Sequence, residues 1–252
     1  MCRLLAYVSR TPTTLTEVLG ADALQRFVDL ARQHTDGWGL AWATEDGVGT
    51  ARYPDPAHES PEFARVSQEH RTDAAVAHVR WATDGLAIDV RNTHPFTDGR
   101  IAFAHNGAIR PATRLDELVA EDVRGLREGT TDSERYYLSV LDKARRMDVA
   151  AALAETTTAI AEGGFDYTCL NAMVLTSTEL VVANRFRPEA EALEGPEYYR
   201  LRYRVTPDAV VVASTGWGGD GWRSLENGQL LVVQRHTLEV DVRDLAEVAA
   251  AA

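Results

Sequence analysis

The chain begins MCRLLAYV, and Cys2 is one of only two cysteines in 252 residues. Chain ends fray unless something ties them down, so position 2 is a poor place for a residue kept only for packing. An initiator methionine is normally removed ahead of a small residue. Removal of Met1 would leave Cys2 carrying a thiol and an unblocked α-amino group together. An α-amino group titrates near ~8, far below a lysine, so it can be neutral at neutral pH and act as a base. A thiol of pKa ~8.5 can pass its proton to such a base directly or through one water. A nucleophile and its own base on one residue suit acyl transfer. A small residue opening a strand is the alternative reading of the same position.

Acyl transfer also needs donors aimed at a developing oxyanion. AHNGAI offers two: the side-chain amide of Asn106, and the backbone at Gly107, which lacks a Cβ and allows close approach. The same Asn-Gly pair is also a strong hairpin signal. In HVRWATDG, Arg80 sits at the end of an apolar strand, where a guanidinium needs a partner. A substrate carboxylate gripped by its fork would serve, and so would an internal salt bridge. Thr83, three residues on, could add a hydroxyl. In TTDSER, Asp132 could hold a substrate ammonium or could compensate a helix dipole in the first turn. His78, His94 and His105 show no metal-ligand spacing and read as structural. Cys169 reads as a buried apolar residue. The Gly-rich HTDGWG and STGWGGDGW lack the strand–GxGxxG–helix context of a nucleotide cradle. No cofactor and no metal are expected.

These residues need a frame. CRLLAYV reads as a strand and SRTPTT as a turn after it. ADALQRFVDLARQ places Leu24, Phe27, Val28 and Ala31 at helical spacing. SPEFARVSQEH is a short helix with Ser60 as its cap. AAVAHVRW and RIAFAHNG are buried strands, and Leu115, Leu118, Val119 and Leu126 mark an amphipathic helix. TTDSERYYLSVLDKARR opens on a capping box from Thr131 to Glu134. DVAAALAETTTAIAEGG is a long helix stopped by Gly163 and Gly164. LNAMVLT, ELVVANR, YYRLRYRV, AVVVAST, QLLVVQR and TLEVDV follow as strands, and AEVAAAA reads as a frayed end. Strict strand–helix alternation is missing, which points to an α+β layered fold with antiparallel sheets.

The bulk composition narrows the partners. With 26 basic and 38 acidic residues the net charge is −12, which argues against nucleic acid or an anionic membrane. Two isolated cysteines, no signal peptide and no span-length apolar segment point to a reducing, cytoplasmic setting.

In order, MCRLL, DGWGLAW, HVRWATDG, RNTHPF, AHNGAI and TTDSERYY resemble the class II glutamine amidotransferases, which are N-terminal-nucleophile hydrolases. VVASTGWGGDGWRSLENGQLLVV is similar to the tail of a stand-alone subgroup that includes the γ-glutamyl amidohydrolase of ergothioneine biosynthesis. The resemblance spans nearly the whole chain. It implies one domain over residues 1–252, folded as a four-layer αββα sandwich of two antiparallel sheets. It also implies Cys2 as nucleophile, Asn106 and Gly107 as oxyanion hole, Arg80 on the α-carboxylate, Asp132 on the α-ammonium and Thr83 lining the site. Asp84 departs from the histidine that many synthase-linked relatives carry after RWAT. The activity implied is cleavage of glutamine or a γ-glutamyl amide through a Cys2 thioester. Two other readings stand beside it: a glutaminase subunit delivering ammonia to a separate synthase chain, and a catalytically silent γ-glutamyl-binding scaffold.

Overall fold

A computed structural model describes residues 2–30, 35–81, 87–195, 197–214 and 219–252. The first half runs β1 (Arg3–Thr13), α1 (Leu15–Leu19), α2 (Ala21–Leu30), β2 (Trp38–Ala43), β3 (Val48–Tyr53), α3 (Pro61–Glu69), β4 (Thr72–Val79), β5 (Phe96–Thr97) and β6 (Ala102–Asn106). The middle runs β7 (Ile109–Arg110), α4 (Glu121–Arg124), α5 (Asp132–Lys143), α6 (Val149–Glu162), β8 (Asp166–Tyr167), β9 (Asn171–Leu175) and β10 (Glu179–Asn184). The chain closes with α7 (Pro188–Glu194), β11 (Leu201–Val205), β12 (Ala209–Ser214), β13 (Trp222–Leu225), β14 (Gln229–Gln234), β15 (Val240–Asp244) and α8 (Leu245–Ala251).

The strands form two large sheets, ordered β13-β11-β12-β1-β4-β2-β3 and β15-β14-β10-β9-β6-β5, and their pairings are antiparallel. Side chains alternate across a strand, so a central strand buried on both faces reads as a continuous apolar run. β1 shows this. Leu4, Ala6 and Val8 join Ala102, Ala104, Met173 and Val182 in the layer between the sheets. Leu5 and Tyr7 face outward, onto Phe27 and Phe63 of α2 and α3. The outer face of the second sheet packs on α5 and α6 through Phe103, Tyr136, Leu153 and Ile160. The layers are therefore helix, sheet, sheet, helix: an α+β sandwich, as the sequence order suggested.

Several element expectations need correction. SRTPTT is not a turn: β1 continues to Thr13, with its pairing to β4 shifting between Val8 and Thr13. The turn chemistry lies one residue later, where Thr14 and Glu17 form a full capping box that starts α1. Thr131 does cap α5, accepting from the Glu134 N–H at 3.0 Å, but the Glu134 carboxylate does not return to it. It takes the N–H groups of Glu128 and Gly129 instead. The helix expected across Leu115–Leu126 breaks into a 3-10 segment (Ala112–Leu118) and the four-residue α4, with Asp142 accepting the Ala120 N–H at the break. AEVAAAA is not frayed: α8 is capped by Asp244 and lays Leu245, Val248 and Ala249 on the α6 core. No described helix is long and apolar enough to cross a membrane.

One end of the sandwich is tied shut. Arg235, after β14, reaches Asp73 at the start of β4 and the carbonyls of Thr44 and Ser177, while the Val48 N–H bonds Gly99 O in the β5–β6 turn. The opposite end gathers the starts of β1 and β9 with the ends of β4, β6, β10 and β12.

Candidate active site

Cys2, Arg80 and Asn106 all lie at that opposite end. Arg3 pairs with Val79, which sets Cys2 opposite Arg80 one step on. Cys2 keeps the parity of Leu4, Arg80 that of Val76, and Asn106 that of Ala104, so all three side chains turn into the layer between the sheets.

Cys2 is half-buried. Its Sγ donates to Trp81 O at 3.6 Å and accepts from the Trp81 N–H at 3.4 Å. Burial pushes the thiol pKa up, against the opposing pull of that N–H and the Arg80 charge. A thiol in this state needs a base before it attacks. Ser214, at the end of β12, fixes the strand's approach: its hydroxyl accepts the Leu4 N–H at 3.0 Å and donates to Leu4 O at 3.3 Å. Nothing in the sequence singled out Ser214.

Arg80 is buried, and two of its donors go to main-chain carbonyls, Asp36 O at 3.1 Å and Ala87 O at 3.3 Å. It forms no ion pair among the described residues. Burial lowers its pKa, with Cys2, Asp36 and Asp89 opposing. Two carbonyl bonds leave part of a five-donor fork for an anion. We expect Arg80→Lys, which keeps the charge and loses the fork, to raise KM for a γ-glutamyl substrate by about ten- to a hundredfold, with a smaller change in kcat.

Asn106 is fully buried, and among the described residues neither its amide oxygen nor its amide nitrogen has a hydrogen-bond partner. Buried polar groups are rarely left so. Asn171 on β9 pairs directly with Asn106, and Asn184 on β10 lies one step beyond the Ala183–Ala172 pair. Both are anchored: Asn171 to Tyr199 O and the Arg185 N–H, Asn184 to Leu225 O. These two asparagines were not foreseen either. A polar residue in an otherwise apolar strand was the available signal.

Gly107 does not make a hairpin, because β6 pairs with β5 and β9 while β7 pairs with β8. It has φ +147°, and a Cβ there would lie 1.8 Å from Cys169 O. Gly107→Ala should therefore cost at least about 1–3 kcal/mol in backbone strain, read as a lower thermal midpoint by circular dichroism.

Asp132 opens α5 beside this corner. Its Oδ2 accepts the Ile109 N–H at 2.7 Å and its Oδ1 the Ser133 N–H at 2.8 Å, and Oδ2 retains a lone pair for a cation. Thr83 and Asp84 lie outside the described residues. Trp38 is core, stacked on Tyr53 with ring centroids 4.9 Å apart, whereas Trp81 is 46% exposed beside the thiol. His94 reaches the same layer because Gly39 leaves room for its carbonyl oxygen, which a Cβ would meet at 2.0 Å. Its ring lies 4.2 Å from His78, and burial holds it neutral. Among the described residues no group of three potential metal ligands occurs. Cavities of about 150, 290 and 330 Å³ open elsewhere, and none is lined by Cys2, Arg80, Asn106, Gly107 or Asp132. Chemistry and register mark this end as the candidate site.

Comparison with known proteins bears on the family and the fold. The family model "Glutamine amidotransferases class-II" matches residues 1–249. A γ-glutamyl-hercynylcysteine sulfoxide hydrolase of Mycolicibacterium smegmatis is 27% identical over 255 residues, 97% of this chain and 96% of that protein. Its namesake in Mycobacterium tuberculosis is 32% identical over 132 residues, 49% of this chain and 56% of that one. The chain spans about half the length of other curated relatives, 58% of one from Haemophilus influenzae and 46% of one from Saccharomyces cerevisiae. In fold it is similar to a glutamine aminotransferase class-II domain protein from Silicibacter pomeroyi, with TM-score 0.69 and 23% identity over 96% of this chain and 99% of that one. Matched by that family model almost from end to end, the chain belongs to the class II glutamine amidotransferases.

Proposed function

We propose that this chain is an amidohydrolase that cleaves the side-chain amide of a γ-glutamyl compound through a thioester on Cys2. The observation that carries the reading is Asn106. Its amide is wholly buried without a partner among the described residues, at the end of the inter-sheet layer shared with Cys2 and Arg80. Such a group is costly in the resting protein and becomes satisfied when an oxyanion arrives.

Arg80 holds the α-carboxylate and Asp132 the α-ammonium, so the γ-carbonyl comes to the thiol. Removal of Met1 exposes the Cys2 α-amino group, which takes the thiol proton. The thiolate attacks the γ-carbon, and Asn106 and Gly107 stabilise the tetrahedral oxyanion. The C–N bond then breaks, and the amine leaves with the proton that the α-ammonium returns. Water, activated by the same amine, attacks the thioester carbon and releases glutamate and the thiol. Near-complete mutual coverage with the mycobacterial γ-glutamyl hydrolase supports a leaving amine larger than ammonia.

The test is a panel of γ-glutamyl amides of increasing leaving-group size, beside glutamine, assayed for released glutamate with intact-mass confirmation that Met1 is absent. Glutamate released fastest from a bulky amide supports this reading. No release from any amide by processed protein overturns it. Release only from glutamine, and only when an acceptor-modifying chain is present, would make the protein a glutaminase subunit instead.

A further inference from the structure

The oxyanion corner is held from behind. His105 precedes Asn106 on β6, so it points to the opposite face, toward α5. Its ring is buried and bonded at both nitrogens: Nε2 lies 3.0 Å from Cys169 O, and Nδ1 lies 2.9 Å from Ser133 Oγ. A carbonyl oxygen only accepts, so Nε2 carries the proton, Nδ1 is the acceptor, and the Ser133 hydroxyl donates to it. Burial lowers the ring's pKa against the pull of Asp132, which favours this neutral tautomer. The carbonyl that His105 grips is the one against which Gly107 lies, since a Cβ on Gly107 would meet that oxygen at 1.8 Å. The far side of the corner is tied by Asp132, which accepts the Ile109 N–H; its Oδ1 accepts the Ser133 N–H at 2.8 Å and lies 3.4 Å from the Ser133 hydroxyl, farther than that hydroxyl's 2.9 Å contact with His105.

Resting on the function proposed above, we infer that Ser133 and His105 are positioning residues. They fix Cys169 O, and through it the height of Gly107 and the direction of the Asn106 amide, so that the oxyanion hole is set before substrate arrives. Neither touches substrate. Their effect falls on the tetrahedral state, where hole geometry matters, and not on ground-state binding, which belongs to Arg80 and Asp132.

Two variants test this. Ser133→Ala removes the donor to Nδ1, and His105→Gln keeps a donor for Cys169 O while losing the Nδ1 acceptor. Each should lower kcat by about three- to tenfold, the scale of one neutral hydrogen bond, with KM within twofold of wild type. The double variant should lose no more than the worse single one, because both break one bridge. Ser133→Thr should restore kcat. Binding of glutamate γ-semialdehyde, whose thiohemiacetal on Cys2 fills the hole, should weaken by the same factor as kcat, while binding of glutamate holds. Unchanged kcat in both single variants overturns the inference. So does a loss in which KM and glutamate affinity move together with kcat, since general loosening of the fold would do that. Cys2→Ala run alongside separates the two levels. If it is inert while Ser133→Ala and His105→Gln match wild type, only the positioning role fails. If it turns over normally, the proposed function fails.

Discussion

Cys2→Ala is expected to abolish glutamate release, a fall of roughly 10⁶-fold or to the assay floor, the scale seen when a covalent nucleophile is removed. The expectation is specific because the chain has only two thiols and their surroundings differ. Cys2 is half-buried at the open end of β1, held by the main chain of Trp81 within range of the Arg80 charge. Cys169 is fully buried, its sulfur accepts the Asn171 N–H, and burial pushes its thiol up. A glutamine-like electrophile such as 6-diazo-5-oxo-norleucine should therefore modify processed protein once, at Cys2, and leave Cys169 untouched. The alanine variant should show no adduct, an unchanged melting curve and an unchanged affinity for glutamate, because the carboxylate and ammonium contacts lie on other residues. Turnover by Cys2→Ala, or an adduct on Cys169, would remove the N-terminal residue from the chemistry.

Which parts of this site could be read from sequence follows from how local each signal is. Caps and stops are short-range, so Ser60, Thr131 and Gly163 mark their helix ends as expected. Buried strands such as β1, β6 and β12 announce themselves by unbroken apolar runs. What depends on a distant partner was hidden. Glu134 looked like the second half of a capping box, yet it serves the loop at Glu128 and Gly129. Arg80 looked as if it needed an acid, yet its bonds among the described residues go to two distant carbonyls. Asn106 was singled out through its glycine neighbour. Asn171, Asn184 and Ser214 were not, because their placement is set by strand pairing across the sheets and no spacing in the chain encodes it. The α8 helix was missed for a related reason: a short alanine-rich segment has little intrinsic stability and is held here by docking on α6.

Asn106→Leu is expected to move activity and stability in opposite directions. Removing one oxyanion donor raises the barrier by about 2.7–4 kcal/mol, so kcat should fall by roughly 10²–10³-fold. A structural asparagine lost from a buried strand would also cost stability, as removal of the doubly anchored Asn171 should. Asn106 has no such bonds to lose among the described residues. Its amide is desolvated without compensation, a burden of about 1–3 kcal/mol carried by the resting protein, and leucine replaces it with the same number of heavy atoms and no polar group. A gain of about 1 kcal/mol corresponds to a rise of about 2–4 °C in Tm for a chain of this size. Asn106→Ala separates volume from polarity: it should show the same kcat loss with a smaller gain in Tm, because it leaves a small void. Opposite signs in the two readouts identify a group kept for the transition state at the expense of the fold. If Tm and kcat fall together in both variants, Asn106 is a structural residue and the oxyanion hole must be sought elsewhere.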